Sequence, residues 1–87
     1  MYRKVRQETS GTTLNAWNTL FTDNTIDTLV NVQVWYEKMS SQYPAQNNSS
    51  FLFYWYDSSH FFQEKHTNDY WNSVPITLIC EYTKTTD

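Results

Sequence analysis

The sequence predicts a small domain of the α+β class, a mainly antiparallel sheet of three or four strands with one or two short helices, spanning residues 1–87 as a single unit. Three observations predict it. Leu14, Trp17, Leu20 and Phe21 recur at helical spacing. The runs 30–36 and 76–82 alternate at period two and are rich in β-branched residues. The chain is only 87 residues long with Cys80 as its sole cysteine, so one small core forms without a disulfide framework.

Taken in order, residues 2–8 alternate loosely and predict a short edge strand. A helix of about ten residues follows over 13–21, capped by Thr12 or Thr13; a helix this short needs a sheet to lie on. In "TLVNVQVWYEK", Val30, Val32, Val34 and Tyr36 take one face of a strand and Asn31, Gln33, Trp35 and Glu37 the other. A helical stripe through Ile26, Leu29, Val30 and Val34 competes with that reading. Residues 39–50, "MSSQYPAQNNSS", predict a polar loop around Tyr43 and Pro44. Within it Asn47 and Asn48 each begin an N-x-Ser sequon, which without a secretion signal reads as chance.

The stretch "FLFYWYDSSHFF" is unusual because it is apolar on both strand parities. Phe51, Phe53 and Trp55 share one face; Leu52, Tyr54 and Tyr56 share the other. The simplest arrangement makes 51–56 a central strand covered on both sides. Asp57 or Ser58 then caps a short helix near 58–65 carrying Phe61 and Phe62. "HTNDYWNSVP" predicts irregular chain, and the final strand points Ile76, Leu78, Cys80 and Tyr82 inward. With a single glycine, Asn-Gly hairpins are excluded, so longer loops or helices must join the strands.

Composition narrows function. The formal charge is −3 and charged residues are 17% of the chain, too few and too scattered for a nucleic-acid footprint. The basic trio Arg3, Lys4 and Arg6 reads as a solvated edge strand. The carboxylates are dispersed, which argues against a DNA mimic. No run approaches about 18 consecutive apolar residues. "MYRKVRQETS" has no signal-peptide core. The expectation is a soluble intracellular or virion-associated protein.

Chemistry is sparse. His60, Glu64 and His66 are the best metal candidates, with His60 and Glu64 one helical turn apart and His66 on the far side. No HExxH motif or cysteine pair completes a site. Cys80 sits on the apolar parity of its strand and reads as an inert hydrophobe. Ser58, Ser59 and His60 are adjacent without forming a triad, and one glycine leaves no phosphate loop. The sequence therefore predicts no enzyme, no cofactor and no metal.

Aromatic surface remains, at 18% Phe, Trp and Tyr. If Tyr54 and Tyr56 share a face with Trp35 and Ile79, the sheet presents rings among Asn31, Gln33 and Thr77, a composition that suits recognition. Trp35, Tyr54, Tyr56, Tyr70 and Trp71 are the expected binding residues. The expected function is a protein-interaction or assembly module, with a protein partner or its own copies as ligand and neither nucleic acid nor membrane. The expected order of elements resembles small α+β phage tail-completion and neck proteins, in order alone. A small phage-type inhibitor docking on a host protein and a carbohydrate-binding module are the alternatives.

Overall fold

The computed structural model describes residues 1–45 and 50–84. The sequons at Asn47 and Asn48 lie outside the described residues. Among the described residues, seven strands and one three-residue 3-10 turn make up the regular structure: β1 (Tyr2–Thr9), β2 (Asn18–Thr22), β3 (Thr28–Lys38), β4 (Ser41–Ala45), β5 (Phe51–Tyr56), β6 (Phe61–His66), the turn Asp69–Trp71, and β7 (Pro75–Thr83). They form two antiparallel sheets, ordered β1-β7-β3-β4 and β2-β6-β5. This overturns the α+β expectation: both helices are absent, and with them goes the likeness in element order to phage neck proteins.

Each replaced element has a physical reason. In the segment expected as the first helix, Thr, Asn and Trp dominate, all weaker helix formers than Ala or Leu. Asn15 takes a left-handed conformation at φ 58°. A bulge between Thr19 and Phe21 then turns the consecutive Leu20 and Phe21 both inward. Two adjacent buried residues counterfeit a helical stripe, while Leu14 and Trp17 stay exposed. The second expected helix is β6, joined to β5 by a four-residue turn with Tyr56 facing Phe61. Its buried positions are Phe62, Glu64 and His66. Two of the three are polar, so alternation was hidden.

The expected polar loop contains β4, at the edge of its sheet, where a proline lacking its N–H is tolerated. Lys38 faces Ser41, so Met39 and Ser40 alone make the turn, at φ 52° and 65°. A two-residue hairpin thus forms without glycine, against expectation. The strands expected near 2–8, 30–36, 51–56 and 76–82 are all present, but a bulge between Leu29 and Asn31 leaves Val30, expected on the inner face, half exposed, and Leu29 packs against the core instead. However, β5 is a terminal strand of its sheet, covered on one face, and not a central strand covered on two.

The sheets pack face to face. Val34, Tyr36, Ile76, Leu78, Cys80 and Tyr82 from the larger sheet meet Leu20, Phe21 and Phe62 from the smaller, with Ile26 and Val74 at the margins. Tyr36 and Phe51 touch across the gap, ring centroids 4.9 Å apart. A least dimension of 19 Å fits two layers spaced about 10 Å apart. At the β1 border the sandwich closes with charge. Asp23 accepts from Lys4 at 2.5 Å, from Arg6 at 3.2 Å and from the Thr25 backbone at 2.9 Å. Arg6 also pairs with Glu8 and lies over the Phe21 ring. Burial favours the neutral Asp23 acid, but the Lys4 and Thr25 hydrogen bonds and the Lys4 charge outweigh it and hold its pKa at about 2.

Candidate interaction surface

The expected binding residues fall in three places. Tyr54 and Tyr56 point outward from β5, on the face of the small sheet turned away from the core. Trp35 lies on the opposite side of the molecule, outward from β3, beside Pro44 and Thr77. It borders an open groove of about 500 Å³ lined by residues 31–35, Pro44 and Ala45. The grouping of Trp35 and Ile79 with Tyr54 and Tyr56 is therefore corrected: the first two belong to one sheet's outer face and the last two to the other's. Tyr70 and Trp71 form the 3-10 turn at one end. Trp71 packs edge-on against Tyr36, Tyr43 and Phe51, with centroids 5.4 to 5.6 Å away. It closes the core. Tyr70 is exposed, with the Lys38 ammonium 4.6 Å from its ring centroid.

The outer face of the small sheet gathers more rings than the sequence assigned to it. Outward positions on β5 are Leu52, Tyr54 and Tyr56; on β6 they are Phe61, Gln63 and Lys65, directly opposite in reverse order. Trp17, leading into β2, lies 5.9 Å from Tyr54, with the planes 48° apart. Tyr54 and Tyr56 meet at 6.1 Å and 76°, and Tyr56 stacks on Phe61 at 5.2 Å and 19°. The Lys65 ammonium sits 5.7 Å from the Trp17 ring centroid. Trp17 is 44% exposed, Leu52 41%, Tyr54 45% and Tyr56 40%. Trp17 and Phe61 were missed because each was placed on a helix that does not form. Recognising β6 as a strand would have found Phe61, since it mirrors Tyr56 across a short turn.

A second polar constellation lies inside. Glu64 and His66 are both 0% exposed. Two residues apart on a strand, they share its inner face, and they hydrogen-bond through His66 Nδ1. His66 Nε2 lies 2.6 Å from Asn72 Oδ1. The Gly11 N–H donates to Glu64 Oε1 at 3.5 Å, in a position where a Cβ would sit 2.1 Å from Asn18 Cγ. The Tyr36 hydroxyl makes no hydrogen bond of normal geometry. Burial, and then the nearby Glu64 carboxylate, push its pKa up. A His–carboxylate pair can move protons, but this one is enclosed by the core and touches no solvent. His60, the third expected metal candidate, stands apart in the β5–β6 turn and donates from Nδ1 to the Ile26 carbonyl at 2.8 Å. Among the described residues no group of three or more His, Cys, Asp and Glu is placed to hold a metal ion. Cys80 is fully buried, and burial pushes its thiol pKa up.

Comparison with protein-family models, with curated proteins and with solved structures finds no match to this chain. No helix among the described residues is long and apolar enough to cross a membrane.

Proposed function

We propose that this chain is a protein-interaction module that binds its partner through the outer face of the β2–β6–β5 sheet. The observation that carries the reading is the contiguous exposure of Trp17, Leu52, Tyr54 and Tyr56 around Phe61. Large side chains of this kind bury about 150–250 Å² when fully covered. At 40–45% exposure the four together offer about 300 Å², the scale of a functional patch on a small protein. Tyr and Trp are also the side chains that dominate binding hot spots.

Ring orientation separates a protein surface from a sugar as the ligand. Stacked sugar recognition uses rings presented as a flat platform. Here Trp17, Tyr54 and Tyr56 are turned 48° and 76° to one another. Such rings make a corrugated surface that suits interdigitating side chains.

A photo-crosslinking phenylalanine derivative at position 54, compared with the same residue at position 35 in the cell of origin, tests the reading. The expected result is a protein adduct from position 54 and none from 35. Adducts from 35 alone, or from neither, would end it. In parallel, Tyr54→Ala is expected to weaken partner binding at least tenfold while shifting the melting temperature little, and Trp35→Ala to leave binding unchanged.

A further inference from the structure

We propose that the partner of this face is a second copy of the same chain, packed face to face about a two-fold axis that runs across the strands near Tyr54 and Gln63. This rests on the interaction-face reading above and names its ligand.

Charge placement on this sheet suits a second copy. The outward positions of β5 and β6 are Leu52, Tyr54, Tyr56, Phe61, Gln63 and Lys65, so Lys65 is their only charge. It lies at the end of the sheet where Leu52 faces it. At the opposite end, past the Tyr56–Phe61 pair, the connecting turn begins with the exposed carboxylate of Asp57. Neither Lys65 nor Asp57 has an ion-pair partner among the described residues. The outer face thus carries a positive charge at one end and no charge between, and the turn that borders its other end holds an exposed acidic residue.

Four residues of strand separate Lys65 from Phe61, a span of about 13 Å. A two-fold axis across the strands reverses the strand direction of the second copy. Each Lys65 then comes over the other copy's Asp57 end, twice by symmetry, while Tyr54 meets its own mate at the axis. An axis along the strands would stack Lys65 on Lys65. The charge pattern selects the first arrangement and gives it a register.

Area sets the strength. The four exposed side chains supply about 300 Å² per copy, below the roughly 800 Å² per partner of a standard interface. Neighbouring polar surface adds to this, so the dimer is expected to be weak, reversible and concentration-dependent.

Sedimentation equilibrium of the purified chain over a wide concentration range, with the melting temperature followed alongside, provides the test. The expected result is a monomer–dimer equilibrium that Lys65→Glu and Asp57→Lys each weaken about tenfold. The double variant K65E/D57K is expected to regain most of the loss, because swapping both charges restores opposite pairing. A chain that remains monomeric at millimolar concentration would overturn the proposal. So would a dimer indifferent to either charge reversal. If position 54 crosslinks a different protein in cells while the purified chain stays monomeric, the second copy is excluded and the interaction face stands. If position 54 yields no adduct of any kind, both fall.

Discussion

The two sheets of this molecule use alternation in opposite ways. In the four-stranded sheet the central strands are conventional: Val34, Tyr36, Ile76, Leu78 and Cys80 face in, and Asn31, Gln33, Thr77 and Glu81 face out, while the edge strand β1 turns Lys4, Arg6 and Glu8 toward the seam and Val5 outward. Its outer residues tie to one another, Asn31 donating to Glu81 at 3.0 Å and Thr77 to Gln7 at 3.4 Å. The three-stranded sheet is partly inverted. On β6, Glu64 and His66 are inside while Phe61 is outside; on β5, Leu52, Tyr54 and Tyr56 are outside. The lesson is that interior polarity and exterior greasiness occur together on the sheet proposed to bind. β5 carries apolar residues on both parities, and its paired neighbour β6 carries polar ones on its inner parity.

The sharpest way to break this contrast is at Glu64. Glu64→Leu removes the acceptor that faces His66 Nδ1 and the Gly11 N–H in the core, and leaving a buried polar group unsatisfied costs about 1–3 kcal/mol. Urea denaturation is expected to show that loss, a large fraction of the stability of a domain this small. Glu64→Gln keeps an acceptor and is expected to lose less. If Glu64→Leu were as stable as the parent, the inner polarity of β6 would be incidental to the fold.

The seam between the sheets is tested by acid. The Asp23 pKa is lowered from 3.8 to about 2 in the folded chain, so its stabilisation is present above the unfolded value and is lost as pH falls through the folded one. About 2 kcal/mol should disappear between about pH 4 and pH 2. Asp23→Asn is expected to be less stable at neutral pH and to lack this part of the acid transition. An identical acid profile for both would remove Asp23 as the link between β1 and β2.

The smallest effect sharpens the contrast from the conventional sheet. Met39 and Ser40 hold positive φ in the β3–β4 turn, where Asn and Gly are preferred. Met39→Asn with Ser40→Gly is expected to raise stability by about 1 kcal/mol, read from the urea midpoint, without altering association through the far face.

Legibility in the sequence followed which residues fill the inner parity. β7 and the part of β3 from Val32 onward were readable because apolar residues mark every second position; at Val30 the bulge between Leu29 and Asn31 broke the pattern. β5 was readable as a strand, and its two faces were assigned correctly, because only rings and Leu52 occupy it. β6 was unreadable because Glu64 and His66 satisfy each other where apolar residues were looked for. β2 was disguised by its bulge, and β4 by Pro44 and the polar residues around it. The same errors carried into the candidate surface. Tyr54 and Tyr56 were found from their strand. Trp17 and Phe61 were lost with the helices, and Trp71, expected on the surface, lays its ring against Tyr36, Tyr43 and Phe51. Trp35 was grouped with Tyr54 because a single sheet was assumed.

The strand order β1-β7-β3-β4 places the latest of the seven strands between two of the earlier ones. On a translating ribosome, β1 and β3 emerge with nothing to bond between them until the chain through Thr83 follows. The β3–β4 hairpin can pair as soon as it is made, but β1 joins the larger layer only through β7, so that layer closes late and the aromatic patch waits on its small sheet for a core that only this closure completes.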